Sequence, residues 1–362
     1  MLFTIVTVIC FLVFFAGMFT GGKSWREVRE LFYGNYYAED GLINQTDKPN
    51  SKEAFQNCID NGIGIKTEVF YTKDNRLAIS TYNNLAKEYG VDKNISDCDM
   101  EELEALGIMS VSSLIEMVDD TLPVIFELKG STNNEAMCRS MADVIKASKK
   151  KNIAVCSFNA GIMSWFKERE KDIFRGIVSA PAKEFKNLPK FQRWVTGNLA
   201  NNYNCRPNFM LYRNRPQSIF VKFAVTSGVL NGVWTIDNAE EAKRLQEEKE
   251  LIVVRGFMPE TVHFKDLPVI ATPTPAATSK FAQAQEQAVR QRSISEILAD
   301  DEIDVLPEQD GVFDELEAEM DQLFGEAKEK ATEIIAKVKE EAVEIYDKVK
   351  EEVTEAVEDL KK

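Results

Sequence analysis

The chain has 362 residues, 59 of them acidic and 44 basic, for a formal net charge of −15. Residues 294–362 hold 24 of the acids and 8 of the bases, so the rest is near neutral, and no basic stripe suggests nucleic acid. Six cysteines without a CxxC pair and a single histidine, His263, exclude a zinc-finger site and any mechanism that needs two imidazoles.

In chain order, Met1–Gly22 contains no charged residue and is dominated by Leu, Ile, Val and Phe. As a helix this run measures about 33 Å, enough for the core of a bilayer. Basic residues are absent before it and present after it, at Lys23, Arg26 and Arg29. That pattern favours a retained transmembrane anchor over a cleaved signal. It predicts a single-pass protein of the cell membrane with its body in the cytoplasm. Residues 23–34 form a juxtamembrane segment in which Trp25 and Phe32 are expected to be interfacial contacts.

Residues 35–264 alternate short apolar runs with amphipathic stretches. Strands are expected at Tyr36–Asp40, Ile63–Tyr71, Val124–Lys129, Ala154–Phe158, Phe174–Ser179, Phe209–Arg213, Val233–Ile236 and Leu251–Arg255, with helices such as Asn134–Lys149 and Ala239–Glu248 between them. Eight such alternations predict an α/β fold, a (β/α)8 barrel, with a doubly wound open sheet as the alternative. Within Gly62–Leu85 the second strand turns back through Lys73-Asp74-Asn75-Arg76, where an Asp-Asn pair tolerates the left-handed backbone of a tight hairpin. Cys58, Cys98, Cys138, Cys156 and Cys205 lie on separate apolar segments and are expected as buried thiols.

Residues 265–311 are expected to be a partly disordered linker, opening with the Pro/Ala/Thr-rich Lys265–Ser279. Residues 312–362 form an acidic amphipathic helix. Within it Lys328–Val338, Lys339–Val349 and Lys350–Leu360 repeat at a period of eleven, with Ile334, Ile345 and Ala356 in one stripe. That period is compatible with a right-handed coiled coil. The stripe fits three partners: the body of the same chain, a second protein chain, or a membrane surface.

Seven stretches, in order, carry a family resemblance: Ala38-Glu39-Asp40-Gly41-Leu42, Asn50–Phe55, Thr72-Lys73-Asp74-Asn75, Phe126-Glu127-Leu128-Lys129, Ser157-Phe158-Asn159, Trp234-Thr235-Ile236-Asp237 and Pro259-Glu260. Together the body resembles the glycerophosphodiester phosphodiesterases, barrel enzymes related to phosphatidylinositol-specific phospholipases C. The resemblance implies a divalent ion held by carboxylates and two histidines acting as general acid and base. This sequence departs from that pattern. Glu39 and Asp40 stand where the family has His and Arg, Lys66 and Glu68 where it has the Glu-x-Asp pair, and Thr81-Tyr82 where it has a second His-Asp.

Glu68 and Glu127 remain as possible metal ligands, and Lys129 and Trp234 as possible substrate contacts. No cofactor is expected; Mg²⁺ or Ca²⁺ enters only if the clustered carboxylates retain hydrolytic chemistry. The sequence therefore supports three readings: a silent barrel acting as a scaffold, a non-hydrolytic binder of a lipid headgroup or glycerophosphodiester, and a divergent metal-dependent phosphodiesterase. His263, beyond the last strand, reads as a surface or packing residue.

If the tail pairs with itself, a peptide spanning Lys328–Leu360 gains helicity with concentration, read by circular dichroism, and Ile345→Asp abolishes the gain. Concentration-independent spectra would exclude self-association.

Overall fold

The computed structural model describes residues 17, 19–22, 26–44 and 47–264. Most of the apolar N-terminal run, Trp25, the 265–311 linker and the 312–362 helix therefore lie outside the described residues. Among the described residues no helix is long and apolar enough to cross a membrane.

Eight parallel strands build the body: β1 (Asn35–Glu39), β2 (Gly64–Tyr71), β4 (Val124–Leu128), β5 (Ile153–Ser157), β6 (Phe174–Ser179), β7 (Phe209–Arg213), β8 (Leu230–Ile236) and β9 (Leu251–Val254). They pair in that order, and β1 pairs with both β2 and β9. This last pairing closes the ring and rules out the open doubly wound sheet. The remaining strand, β3 (Leu77–Ile79), runs antiparallel to β2 with Tyr71 opposite Leu77, and Asn75 in the turn has φ +64°.

The helices are α1 (Arg26–Phe32), α2 (Lys52–Asn61), α3 (Ala86–Tyr89), α4 (Met100–Ala105), α5 (Val111–Met117), α6 (Asn134–Ser148), α7 (Ala160–Arg169), α8 (Lys190–Gly197), α9 (Asn202–Cys205), α10 (Ile219–Thr226) and α11 (Ala239–Leu245). Their starts follow from local chemistry. The Ser51 hydroxyl accepts from the Ala54 amide at 3.2 Å to open α2, and Gly62 at φ +66° closes it. Capping of this kind satisfies backbone groups that the helix itself leaves unpaired.

Side chains two apart on a strand share a face. One set, with Ile65, Val69, Phe126, Leu128 and Val155, packs under the helices. The alternate set, with Tyr37, Ile125, Ala154, Cys156, Val178, Leu211, Trp234 and Val253, fills the barrel. Gly176 belongs to this inner set because a Cβ there would stand 2.3 Å from the Phe209 ring. Following the inner faces toward the strand ends leads from apolar residues to Glu39, Lys66, Glu68 and Glu127, so charge collects at one mouth. All five described cysteines are buried and free.

Three local expectations need correction. Asp40 is not in the first strand; it leaves it with φ +61°. Strand β8 begins at Leu230 rather than Val233, because Asn231 and Gly232 read as turn residues although their backbones pair in the ladder. Phe32 is no interfacial contact. It is fully buried, stacks on Phe174 with ring centroids 4.7 Å apart, and plugs the end of the barrel opposite the charged mouth.

Phe32→Ala is therefore expected to cost about 3–5 kcal/mol of unfolding free energy in a urea titration. An unchanged midpoint would return Phe32 to the surface.

Candidate functional site at the barrel mouth

The mouth is assembled from neighbouring strands in register. Glu39 on β1 lies beside Lys66 on β2, and Glu68 on β2 beside Glu127 on β4. The Lys66 ammonium sits among them, 2.6 Å from Glu127 Oε2, 3.1 Å from Glu39 Oε1 and 3.9 Å from Glu68 Oε1. Lys129, just past β4, lies 2.8 Å from Glu127 and 3.4 Å from Glu68. All of these side chains are buried, Lys129 completely so.

Arg255, immediately beyond β9, completes the set with Nη2 2.7 Å from Glu39 Oε2 and 3.7 Å from Asp40 Oδ2. Sequence reading missed this residue. Its only signal was a basic residue at the end of the last strand, and its partner lies more than two hundred positions away on the strand that closes the ring. A guanidinium thus stands at the mouth although the arginine expected from the resemblance at position 40 is an aspartate. The Thr235 hydroxyl donates to Glu39 at 2.5 Å, a second contact that the sequence did not reveal.

Asn50 ties the layer beneath. Its amide donates to Thr81 Oγ1 at 2.9 Å, and its carbonyl accepts from Thr67 Oγ1 at 2.6 Å. Thr81 in turn donates to Asp40 Oδ2 at 3.4 Å, so it belongs to the cluster. Tyr82 faces elsewhere: its hydroxyl accepts from Lys87 at 2.6 Å, with the same ammonium 4.0 Å from its ring centroid. His263 pairs with Asn35 at 2.7 Å beside the first strand. Trp234 both packs the inner core and faces the mouth, with Nε1 donating to the Ser179 carbonyl at 3.2 Å.

The ionisation follows from this arrangement. Burial alone pushes the Glu39 carboxyl up, but Arg255 and Lys66 outweigh it and hold it at about 2. Glu127 is also held at about 2, with Lys129 and Lys66 overcoming burial. Burial opposes the Lys66 charge, yet Glu127, Glu39 and Glu68 raise its pKa well above the ordinary value. Asp40 goes the other way. Burial, with Glu39 and Glu68 adding to it, prevails over Arg255 and Lys66 and lifts it to about 6. One of its oxygens, Oδ1, is buried without a protein hydrogen-bond partner.

The divalent ion implied by the resemblance does not fit this donor set. A cation held between Glu68 and Glu127 would face the Lys66 ammonium, which already neutralises the same oxygens. Among the described residues no group of three His, Cys, Asp or Glu side chains is arranged to hold a metal ion. Beside the cluster opens a cavity of about 600 Å³ whose wall includes Glu39, Arg213, Arg215, Lys222, Trp234 and Arg255. Arg213 and Arg215 share Glu184, at 3.3 and 3.8 Å.

The raised Asp40 carboxyl gives a signed prediction. Its folded pKa, about 6, lies above its ordinary 3.8, so its contribution to stability is full below about pH 4 and is lost as pH rises through 6. Asp40→Asn, neutral throughout and at ease at positive φ, is expected to stabilise the protein above pH 7 by up to about 3 kcal/mol. Near pH 4 it leaves stability nearly unchanged. Urea titrations at both values check this; a variant destabilised at high pH would mean that the charge on Asp40 is required.

No protein-family model and no curated protein matches the chain. Solved structures do. An Oleispira antarctica phosphodiesterase in complex with sn-glycerol-3-phosphate superposes with a TM-score of 0.52 at 16% identity, covering 62% of this chain and 94% of that one. A candidate glycerophosphodiester phosphodiesterase from Galdieria sulphuraria gives 0.51 at 17%, over 62% and 94%. A candidate glycerophosphoryl diester phosphodiesterase from Silicibacter pomeroyi gives 0.51 at 13%, over 66% and 94%. These likenesses span nearly the whole of each solved barrel, and the body of this chain has the fold of the glycerophosphodiester phosphodiesterases.

Proposed function

We propose that the protein is a catalytically silent barrel that works as a membrane-tethered adaptor. The N-terminal apolar run sets its location at the cell membrane with the body in the cytoplasm. The barrel offers a binding surface, and the acidic 312–362 helix recruits a protein partner or a second copy. The observation that carries this reading is the Lys66 ammonium, 2.6 Å from Glu127 and 3.1 Å from Glu39, seated where the resemblance calls for a metal ligand. Thr81 and Tyr82 stand where the resemblance calls for the second histidine, and the Tyr82 hydroxyl is turned to Lys87.

A second reading has its own support. The cavity beside the mouth is lined by as many acids as bases, and its Arg213, Arg215, Lys222 and Arg255, with the Trp234 ring, are the groups suited to an anionic headgroup or glycerophosphodiester. In it the barrel binds such a molecule without cleaving it. sn-Glycerol-3-phosphate, held by the Oleispira barrel, is the natural probe.

Purified protein with Mg²⁺ or Ca²⁺ is expected to release no alcohol from a glycerol phosphodiester such as glycerophosphocholine. Metal-dependent turnover that disappears in Glu127→Gln would overturn the silent reading. A rise in Tm on adding sn-glycerol-3-phosphate, lost in Arg255→Gln, would favour the binder over the adaptor.

A further inference from the structure

The near-neutral charge of the body hides a local asymmetry. Residues 182–227 carry eight Lys and Arg (Lys183, Lys186, Lys190, Arg193, Arg206, Arg213, Arg215 and Lys222) against a single acid, Glu184. This segment builds one flank of the barrel, containing α8, α9, β7 and α10. The large exposed hydrophobics among the described residues are on the same flank: Ile219 at 76%, Tyr203 at 47% and Phe223 at 41% exposure. Lys183, Lys186, Lys190 and Lys222 are exposed with them.

The described end of the N-terminal run is seated on this same flank. Phe19 stacks on Phe220 at 5.0 Å and meets Phe223 edge-on at 6.5 Å, while Trp194 of α8 meets Phe220 at 5.7 Å. Asn202 of α9 donates to the Phe19 carbonyl at 3.3 Å, and Arg206 to the Gly17 carbonyl at 2.8 Å. The chain therefore enters the barrel beside Tyr203 and Phe223, coming from a stretch without a single charge.

The geometry points to a lipid-docking face: the flank of α8, α9 and α10 lies against an anionic bilayer surface, with Ile219, Phe223 and Tyr203 inserted among the headgroups and the exposed lysines of the same flank paired with lipid phosphates. This inference rests on the membrane-tether reading. Three features converge on a bilayer as the occupant. Exposed aromatic and aliphatic side chains on a flank that also carries exposed lysines match the headgroup layer, where apolar and charged groups are both satisfied. Clustered bases are drawn to anionic lipid. An uncharged run that ends on the patch brings the patch to the membrane. The exposed isoleucine and phenylalanine distinguish the face from one built for a nucleic-acid backbone, which has no use for them. Arg213, Arg215 and Lys222 also line the cavity beside the mouth, so docking turns the rim of that cavity toward the headgroups.

The test uses the full chain with Cys10→Ser, mixed with vesicles of phosphatidylcholine alone or of phosphatidylcholine with phosphatidylglycerol. Nitroxide labels are placed at Ile219→Cys or Phe223→Cys, with Glu101→Cys on α4 as the control. Sedimentation reads the tether; collision of the label with oxygen and with a water-soluble nickel chelate reads the face. The expected result is a several-fold rise in the oxygen-to-nickel collision ratio at 219 and 223 on anionic vesicles, smaller on phosphatidylcholine alone and absent at 101. Sedimentation with labels that stay fully accessible to nickel overturns the docking face and leaves the tether standing. Labels shielded from both colliders overturn it too, since the cover is then protein, either the acidic tail or a second copy. Failure to sediment with either vesicle removes the tether and the face together.

Discussion

An ammonium taken out of water must be matched by carboxylates at hydrogen-bond distance, and Lys66 imposes that condition on the whole mouth. Its side chain is 2% exposed and lies among three glutamates from three adjacent strands. Removing two such ions from water costs several kcal/mol each, offset only where the geometry is close and every remaining lone pair is used. Neighbouring side chains meet that demand for Glu127 and Glu39. Lys129 takes the other Glu127 oxygen, and Arg255 and Thr235 take the other Glu39 oxygen. Glu39, Glu68 and Glu127 then balance Lys66, Lys129 and Arg255, three against three. Asp40 is the fourth carboxyl in a set already neutral, which is why burial prevails there and lifts its pKa while those of Glu39 and Glu127 fall.

The backbone has to deliver these groups to one plane, and barrel closure does so. Strand periodicity of two puts Lys66 and Glu68 on one inner face, and the parallel register sets Glu39 and Glu127 beside them. Only the β1–β9 pairing brings Arg255 to Glu39. Below the ions the inner face is apolar to the far end, where Phe32 and Phe174 seal it. The charged layer is therefore confined to the mouth by packing as well as by pairing.

This division explains what could be read from the chain alone. Runs such as Val124–Leu128 and Phe174–Ser179 are short, apolar and bounded by turns, so their existence and nearly their limits were legible. Motif order identified the fold and picked out Glu39, Asp40, Glu68 and Glu127 as neighbours. The rest depended on closure or tertiary context. Arg255 acquires its partners only when the ring shuts. Phe32 reads as a membrane contact because an apolar run precedes it, whereas the barrel end beside it is equally apolar and nearer. Asn231 and Gly232 carry turn propensity that the β7 and β9 ladders override. Asp40 turns left-handed, a backbone choice that Asp permits but does not announce.

The same pairing bears on why a divalent ion does not fit between Glu68 and Glu127. A divalent ion must be drawn from dilute solution, whereas Lys66 is attached to the strand that presents Glu68 and is never more than a side-chain length away. The Glu127 and Glu39 oxygens are thus met at 2.6 and 3.1 Å by an ammonium that the fold itself carries. On the neighbouring wall stand Arg213 and Arg215, which share Glu184, and Lys222, together with Asp237, Glu241 and Glu248. At these strand ends the same basic segment continues into α10 with its exposed Ile219 and Phe223.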